Sequence, residues 1–413
     1  MKVIFERCAG LDVHKKTVVA CRIMPGAKGE WQVEIRTFGT ITIELLSLAD
    51  WLRAGGVSQV AMESTGVYWK PVYNILEGEF EVLLVNAKHI KFVPGRKSDV
   101  KDAQWIAELL QHGLLKASFI PEQPQRELRE MVRYRTHLMQ ERTREVNRVQ
   151  KVLEDANIKL ASVATDIMGV SGRSMLQAII AGKDDPAALS ELAKGRMRAK
   201  IDELEQALTG RIRNSHRLLL RMHLEHIDEL NAKLTELHQE IDHLMPPFDP
   251  DRLLQRLDAI PGVGLTVAQI VVAELGIDMS RFPLDSHATS WAGLAPGKNE
   301  SAGRNRSART LKANCYLRPA LIEAAHAAGK TNTYLGEKYR RIARRRGKKR
   351  AAVAVARTIL IIVYHMIQDG TEYVERGSTY FDQLHPQSTQ QWLTKRLERL
   401  GFKVTLEPLP AAA

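Results

Sequence analysis

The sequence is poor in cysteine and has no long apolar run, and these two absences exclude several classes of protein. Its 413 residues contain 3 cysteines, Cys8, Cys21 and Cys315, without CxxC spacing. This argues against a disulfide framework and a zinc site, and it favours a reducing cytoplasm. No stretch of about 18 apolar residues suggests a membrane span. Glu6 and Arg7 interrupt the N-terminal apolar residues, so we expect no signal peptide.

Basic residues are in excess. The chain has 60 Lys and Arg against 48 Asp and Glu, which gives a net charge of +12. Such a charge indicates a polyanionic partner, with nucleic acid as the first candidate. The hydrophobic content of 44% and the charged content of 26% are typical of a globular protein, and the length calls for two or three domains.

Residues 1–122 alternate between strand-like and helix-like patterns. Three apolar strands in a row, then a β–α–β pattern and a final helix, predict an α/β domain with a mixed sheet. The predicted strands are 8–13, 17–24, 31–37, 59–63 and 80–85, and the predicted helices are 41–53, 67–77 and the segment from Ser98 to Leu110.

Four acidic residues occupy suggestive places in this domain. Asp12 ends the first predicted strand and Glu63 ends the fourth, while Asp99 and Asp102 share one face of a first helical turn. Acids are also ordinary at helix starts, because they complement the helix dipole. If the four meet, their repulsion requires cations, and carboxylate oxygens suit Mg²⁺ and phosphodiester chemistry.

Glycine and proline are sparse in residues 123–248, where apolar residues repeat at helical spacing. Apolar residues repeat at three and four positions, from Leu128 to Val152 and again from Ile227 to Leu244. This pattern predicts a long helical hairpin or coiled-coil arm, with a turn at 184–186.

Residues 249–372 are predicted to form a mainly α-helical domain. The Pro-Gly-x-Gly turn at 261–264 lies between two predicted helices, and this pattern resembles a helix-hairpin-helix. In such a motif, Gly262 and Gly264 let backbone N–H groups face a DNA phosphate. The alternative is a tight turn between packed helices. An apolar helix at 351–367 closes the core, and 373–413 is a peripheral extension without an assigned function.

A loop rich in Gly, Ser and Asn surrounds Ser301, and small residues there allow a nucleic-acid backbone to approach. From composition alone Ser301 is a loop serine, because no triad is evident. A dense basic run follows at 340–350, and a merely solvated basic turn is the alternative to nucleic-acid contact. The predicted phosphate-binding residues are Arg304, Arg306, Arg309, Arg344, Arg345, Arg346, Lys348 and Lys349.

Motifs in both terminal regions resemble one family. GLDVHK at 10–15, MESTGVYW at 62–69 and DVKDA at 99–103 are similar to the N-terminal signatures of the DEDD transposases of the insertion-sequence one-ten family. AGLAPGKNESAG at 292–303 and Asn314 with Leu317-Arg318 resemble its C-terminal domain, in the eleven-eleven branch, with Ala313 where Gly usually stands.

This resemblance implies an RNase H/RuvC-like first domain whose metal-binding quartet is Asp12, Glu63, Asp99 and Asp102, with Mg²⁺ as cofactor. It implies that Ser301 is the nucleophile of a DNA recombinase that forms a covalent phosphoserine intermediate. Its partners would be double-stranded DNA at element ends and target, a guide (bridge) RNA, and further copies of the chain in a dimer or tetramer with a composite site. The expected location is the bacterial cytoplasm, at the nucleoid.

Other functions stay open from the sequence. One is a RuvC-like, Mg-dependent, structure-specific endonuclease in which Ser301 is a bystander. Another is a non-catalytic nucleic-acid-binding protein whose acids hold no metal. Alternative nucleophiles are Tyr316, Ser286, Ser290 and Ser307.

Overall fold

The computed structural model describes residues 2–406 except 27–28, 65, 87–101, 297–299, 302–303, 306–309, 311–312 and 385. Of residues 300, 301, 304, 305, 388 and 392 it describes the backbone alone. The chain divides into two compact units, Met1–Pro121 and Glu122–Ala413. The first contains a mixed sheet with helices and the second is mainly helical, as the sequence predicted. The finer division of the second unit at 248 and 372 stays a prediction.

The first unit is built on a five-stranded sheet of order β3-β2-β1-β4-β5. Strands β1, β2 and β3 pair antiparallel, whereas β4 pairs parallel with both β1 and β5. Its elements are β1 (Cys8–Val13), β2 (Thr17–Pro25), β3 (Trp31–Gly39), α1 (Thr42–Ala54), β4 (Gln59–Glu63), α2 (Trp69–Leu76), β5 (Glu81–Val85) and α3 (Asp102–Gln111).

The two faces of β1 pack into separate cores, because successive side chains of a strand point to opposite faces. Ala9 and Leu11 belong to a cluster with residues of α1 and α2. Cys8 and Cys21 belong to a second cluster with residues of α3. Burial raises the pKa of both thiols to about 12. These cysteines are therefore neutral core residues.

Gly10 allows the backbone of α3 to lie directly on β1. A Cβ atom on Gly10 would lie 2.3 Å from the carbonyl oxygen of Ala103 and 2.4 Å from the amide nitrogen of Ala107. At the other end of α3, the carbonyl oxygen of Gln111 accepts a hydrogen bond of 2.9 Å from the amide of Ile4, which precedes β1. Helix α3 thus runs antiparallel to β1 and begins near the carboxyl end of that strand.

Two long helices open the second unit and pack against each other, α4 (Gln123–Asp155) and α9 (Asn214–Leu244). They confirm the helical pattern, while the coiled coil itself stays a prediction. The chain between them is more than a turn: it forms a helical module with its own apolar core. Asp185 caps one of its helices by accepting hydrogen bonds from the amides of Ala187 and Ala188. The helices of the module are α5 (Leu160–Val163), α6 (Val170–Ile180), α7 (Pro186–Ser190) and α8 (Ile201–Leu208).

Helices of 5 to 21 residues and one hairpin follow, and most of these helices contribute to the largest core of the protein. They are α10 (Leu253–Asp258), α11 (Leu265–Leu275), α12 (Asp285–Trp291), β6 (Glu300–Ser301), β7 (Arg304–Asn305), α13 (Leu317–Ala328), α14 (Tyr334–Arg346), α15 (Lys348–Gln368), α16 (Tyr380–Leu384) and α17 (Pro386–Arg399). Helices α16 and α17 form the predicted extension, in which exposed residues predominate.

Helix α15 is long and apolar enough to cross a membrane by length and composition. Its apolar residues have a different explanation, because Val355, Ile359 and Val363 are buried in the largest core. The hydroxyl of Tyr364 donates a hydrogen bond of 2.6 Å to the carbonyl oxygen of Phe282, which fixes α15 against the segment before α12. The prediction that this helix closes the core is confirmed.

A buried ion network joins α4 to α11. The Glu274 side chain is 0% exposed, and Arg133 donates to both of its carboxylate oxygens at 2.6 and 2.8 Å. Arg129 donates to the backbone carbonyl oxygen of Glu274 at 2.8 Å. Burial lowers the pKa of Arg129 to about 10, which still leaves it charged at neutral pH.

Asn314 extends this network to α13. Its Nδ2 donates to Glu274 Oε2 at 2.6 Å, and its Oδ1 accepts from the amides of Tyr316 and Leu317 at 2.9 and 2.8 Å. One side chain therefore caps the start of α13 and bonds a buried carboxylate. Since a buried charge without its partner is strongly destabilising, the three helices depend on one another here.

We predict that Gly10→Ala destabilises the first unit by about 1–3 kcal/mol, because the new methyl group must push α3 away from β1. Chemical denaturation of the full chain measures this. Gly78→Ala is the matched control, since a Cβ there meets nothing within 4 Å, and it should change stability by less than about 0.5 kcal/mol. Equal stability of the two variants would contradict the close contact.

We predict that Glu274→Ala costs about 3–5 kcal/mol, because it leaves the guanidinium of Arg133 without its buried carboxylate partner. The control is Glu229→Ala on α9, whose side chain is 65% exposed; its expected effect is below about 0.5 kcal/mol. Thermal and urea unfolding of both variants provide the comparison. A small effect at Glu274 would show that the network contributes little.

Candidate active site and nucleic-acid interface

Asp12 and Glu63 lie side by side at the ends of two parallel strands. Leu11 pairs in register with Met62, so the next residues along β1 and β4 are Asp12 and Glu63. Gly10 and Ala61 pair with each other on the face of the sheet that α3 covers. Asp12 and Glu63 each come two residues later, so they lie on the same face. Strand β1 lies between β2 and β4, because the chain crosses after β3 through α1 to the other side of β1, and such changes of direction in the strand order are where α/β sheets place their sites.

Helix α3 contributes the third acid to this corner of the sheet. Its first residue is Asp102, and the next residue, Ala103, contacts Gly10 through its carbonyl oxygen. Because α3 runs antiparallel to β1, its first turn lies at the same end of the strand as Asp12. The structure thus brings Asp12, Glu63 and Asp102 to one end and one face of the sheet. The fourth predicted acid, Asp99, lies outside the described residues.

His14 contacts this corner, and the sequence did not single it out. Its Nε2 lies 3.0 Å from Asp12 Oδ2, and the side chains of His14 and Asp12 are 59% and 21% exposed. His14 follows the last residue of β1, so its contact with Asp12 depends on how the chain turns after the strand, which no local spacing indicated.

The donor atoms of this corner fit a hard divalent cation, since Mg²⁺ prefers carboxylate oxygens. Among the described residues, however, no group of three or more His, Cys, Asp or Glu side chains is arranged to hold a metal ion. The described side chains of Asp12, Glu63 and Asp102 therefore do not form a metal site by themselves, and their role as metal ligands stays a prediction.

The loop that carries Ser301 is held at its neck. Pro296 and Thr310 form an isolated antiparallel bridge across the two ends of the loop. Arg318 Nη2 donates to Thr310 Oγ1 at 2.8 Å, which ties this neck to α13. Beyond the neck, the backbone of Ser301 pairs with that of Arg304 in the β6–β7 hairpin. Ser301 thus lies at the far end of the described hairpin from the neck.

The alternative nucleophiles differ in their surroundings. The Tyr316 hydroxyl lies 2.8 Å from Nε2 of His137, and the guanidinium of Arg133 lies 4.7 Å from the centre of the Tyr316 ring. Through these contacts Tyr316 packs the start of α13 against α4. Ser286 and Ser290 are exposed on α12. Ser307 lies outside the described residues.

The two glycines between α10 and α11 have different environments. Gly262 has φ +88°, and a Cβ there would lie 2.2 Å from the carbonyl oxygen of Ala324, so packing on α13 requires glycine. Gly264 is exposed, precedes the first turn of α11, and a Cβ there would meet nothing within 4 Å. Open space at a helix start suits a phosphate contact for Gly264 better than for Gly262. Both contacts remain predictions.

The basic run is displayed on the surface at the junction of two helices. Gly347, with φ +82°, ends α14 and precedes α15. The predicted phosphate-binding residues on either side of it are all exposed, namely Arg344, Arg345, Arg346, Lys348 and Lys349. Of the others, Arg304 has only its backbone described, and Arg306 and Arg309 lie outside the described residues.

Comparisons with known proteins match two separate stretches of the chain to one transposase family. Residues 9–158 match a family model for DEDD transposases of IS110 elements, and residues 254–340 match one described as "Transposase IS116/IS110/IS902 family". A Pseudomonas aeruginosa protein called "Probable family 20 transposase" is 26% identical over 273 residues, covering 65% of this chain and 70% of its own. A Streptomyces coelicolor protein called "Insertion element IS110 uncharacterized 43.6 kDa protein" is 26% identical over 311 residues, covering 68% and 74%.

The two family models fall in separate parts of the chain and together span more than half of it. The first includes the sheet corner with its acids, and the second includes the loop of Ser301 and part of α14. Both models describe transposases, and both curated relatives carry names that refer to transposases or insertion elements. The chain therefore belongs to the IS110/IS116 family of transposases.

Proposed function

We propose that this transposase is a site-specific DNA recombinase that cuts and exchanges strands with two sets of residues, the acids of its sheet and a serine of its C-terminal region. The observation that carries the proposal is the placement of Asp12 and Glu63 on adjacent parallel strand ends, beneath the first turn of α3. Membership of a transposase family supplies the substrate class, which is DNA.

The fold supports a RuvC-like assignment of the first unit. Strand β1 is central in the sheet. It pairs antiparallel with β2, which continues to β3, and parallel with β4, which continues to β5. A site at the carboxyl ends of β1 and β4 uses the switch point of such a sheet. The helix-hairpin-helix proposed for α10 and α11 would add a sequence-independent phosphate contact at Gly264.

Asp12, Glu63, Asp99 and Asp102 are the proposed ligands of magnesium. The family's domain is of a type that usually uses divalent metal. Three acids at one corner of a sheet would repel one another, and a bound cation removes that repulsion. When bound there, magnesium would neutralise charge on the scissile phosphate. Asp12 keeps a contact with His14, which orients its carboxylate.

Ser301 is the proposed nucleophile. Its Oγ gives its proton to solvent and forms a bond to phosphorus, while one backbone P–O bond of the DNA breaks and the leaving oxygen takes up a proton to become a free hydroxyl end. The phosphoserine ester keeps the energy of the broken phosphodiester, so reversal on another hydroxyl end can join a new strand without ATP. The neck formed by Pro296 and Thr310 holds this loop on the helical core.

Partners of two further kinds belong to the proposal. An element-encoded guide RNA and assembly into a dimer or tetramer are carried over from the resemblance. The net charge of +12 and the exposed arginines of α14 support contact with a long polyanion. These features suit DNA and RNA equally, because phosphate contacts carry no sequence information.

We predict a covalent protein–DNA adduct when the purified chain is incubated with Mg²⁺, the element-encoded RNA and element-end DNA and then denatured. Ser301→Ala abolishes the adduct because it removes the attacking oxygen, and Asp12→Ala abolishes it because it removes a metal ligand. Denaturing gels and mass spectrometry detect the linkage. Ser290→Ala and Asp50→Asn are matched controls on exposed residues and should leave adduct formation intact.

The same experiment separates the alternatives. DNA cleavage that persists in Ser301→Ala without any adduct would support a RuvC-like endonuclease that uses water. Retained DNA binding without cleavage or adduct in the wild-type chain would support a non-catalytic binding protein.

We predict that replacing Arg344, Arg345 and Arg346 together with alanine weakens binding to all duplex DNA sequences alike. The slope of log K against log salt should fall by about 0.9 for each phosphate that the variant no longer neutralises. Fluorescence anisotropy at several salt concentrations measures the slope. The control replaces three exposed lysines of the helical arm and its module, Lys151, Lys183 and Lys233. An unchanged slope in the arginine variant, or an equal change in the control, counts against this patch.

A further inference from the structure

A groove lies between the neck of the Ser301 loop and the first half of α15. Its volume is about 770 Å³. Leu294, Pro296 and Thr310 line it on the side of the loop, and Val353 and Ile361 form part of its floor on α15. The groove therefore adjoins the two points at which the loop of the proposed nucleophile leaves the helical core.

The groove is strongly cationic, and no acid is among its described lining residues. Lys338 of α14 and Lys349, Arg350 and Arg357 of α15 line it, together with Thr358 and apolar side chains. Within the described part of the chain, none of these four cations forms an ion pair. By contrast, neighbouring Arg340 and Arg341 of α14 are paired with Glu337 and Asp382. Cations left unpaired beside paired ones indicate a site for an external anion.

Arg357 has an unsatisfied hydrogen-bond donor beside the groove. Its Nε is buried and has no hydrogen-bond partner in the described structure. Buried donors are almost always paired, so this N–H is an unsatisfied group. The Nε of Arg256 is unsatisfied as well, and Arg357 differs from it in lining a cationic groove that has no acid among its described lining residues. Lys338 agrees with this, because burial lowers its pKa and the charge of Arg357 lowers it further. The cations crowd one another where no negative charge compensates them.

The chemistry of the groove matches one kind of anion. Guanidinium forks and ammonium groups bind phosphate oxygens, the threonine hydroxyls can add hydrogen bonds, and an apolar floor suits the sugar between successive phosphates. An isolated carboxylate or a small anion would leave most of an open groove of this size unused. The position beside the Ser301 loop favours DNA, because the loop must approach the strand that it attacks.

We propose that this groove binds the phosphodiester backbone of the DNA strand next to the bond attacked by Ser301, with Arg357 as a positioning residue. The inference rests on the proposed function and adds to it the surface that holds the strand. Thr310 joins the groove to the serine loop, and Arg318 fixes Thr310 by its hydrogen bond. Occupation of the groove would thus place the strand relative to the neck of the loop.

The first test maps the site without using the reaction. The full chain is labelled with an amine-reactive acetylating reagent, with and without a short single-stranded oligodeoxynucleotide of the element end. We expect the oligonucleotide to reduce labelling of Lys349 at least about threefold and to leave exposed Lys233 unchanged. Equal labelling of Lys349 with and without the oligonucleotide overturns the proposal. Protection by an RNA of the same sequence, without protection by DNA, overturns it as well.

The second test uses a matched pair of arginines. Arg357→Met removes a crowded cation, so the melting temperature of the free chain should stay the same or rise. Affinity for the oligonucleotide should fall about tenfold, which is the effect expected of removing one charge-assisted hydrogen bond. Protection of Lys349 in the same variant should need about tenfold more oligonucleotide, in proportion to the lost affinity.

Arg256→Met is the control for packing. Arg256 also has a buried Nε without a partner, but its Nη2 donates at 2.8 Å to the carbonyl oxygens of Met366 and Thr371. Its replacement should lower the melting temperature and leave both oligonucleotide affinity and Lys349 protection intact. If Arg357→Met behaves like this control, Arg357 is a structural residue and the proposal fails.

The outcomes also separate this proposal from the proposed chemistry. Protection of Lys349 together with failure to form a Ser301 adduct would leave the groove as a DNA site and reject the nucleophile. The opposite result is that Arg357→Met forms the adduct at the wild-type rate and with the wild-type dependence on DNA concentration. That result would be compatible with Ser301 as the nucleophile and would reject the groove as a DNA-binding site.

Discussion

The start of α3 lies on Gly10 at a distance that leaves no room for a side chain, and the acidic corner of the first unit depends on this contact. The carbonyl oxygen of Ala103 and the amide of Ala107 occupy the space of the missing Cβ. Because the helix is held there, its first residue, Asp102, reaches the strand end that carries Asp12. Without that approach the acids of the sheet and of the helix would belong to separate surfaces.

A second constraint organises the helical unit in a similar way. The carboxylate of Glu274 is fully buried, and its partners come from the long helix α4 and from Asn314 at the start of α13. These contacts fix the segment that follows the Ser301 loop, while the bridge between Pro296 and Thr310 fixes its neck. The motif residues Asn314 and Arg318 therefore position the loop, and the groove beside Arg357 lies directly against the same neck. Structural residues and the proposed DNA-binding surface thus meet at one place.

Much of the first unit could be predicted because its signals are local. The alternation of apolar residues indicated the strands and their mixed order, with ends that differ by one or two residues. Local spacing also placed Asp12 and Glu63 at strand ends. Other features were not readable in this way. The helical module between α4 and α9 was predicted only as a turn, since short helices with their own small core carry weak periodicity. The contact of His14 with Asp12 depends on how the chain turns after β1.

The amino-acid sequence by itself determined the two classes of region, the motifs of the transposase family, the basic run and the candidate acids and serine. These follow from residue type and periodicity, which act over a few neighbouring positions. Only the tertiary structure decided that Asp12, Glu63 and Asp102 share one end of the sheet, that Gly262 serves packing, and that Arg357 lines a groove where its Nε has no hydrogen-bond partner in the described part of the chain. Each of these depends on contacts between residues far apart in the chain, and no local pattern specifies which distant backbone will occupy the space beside a side chain.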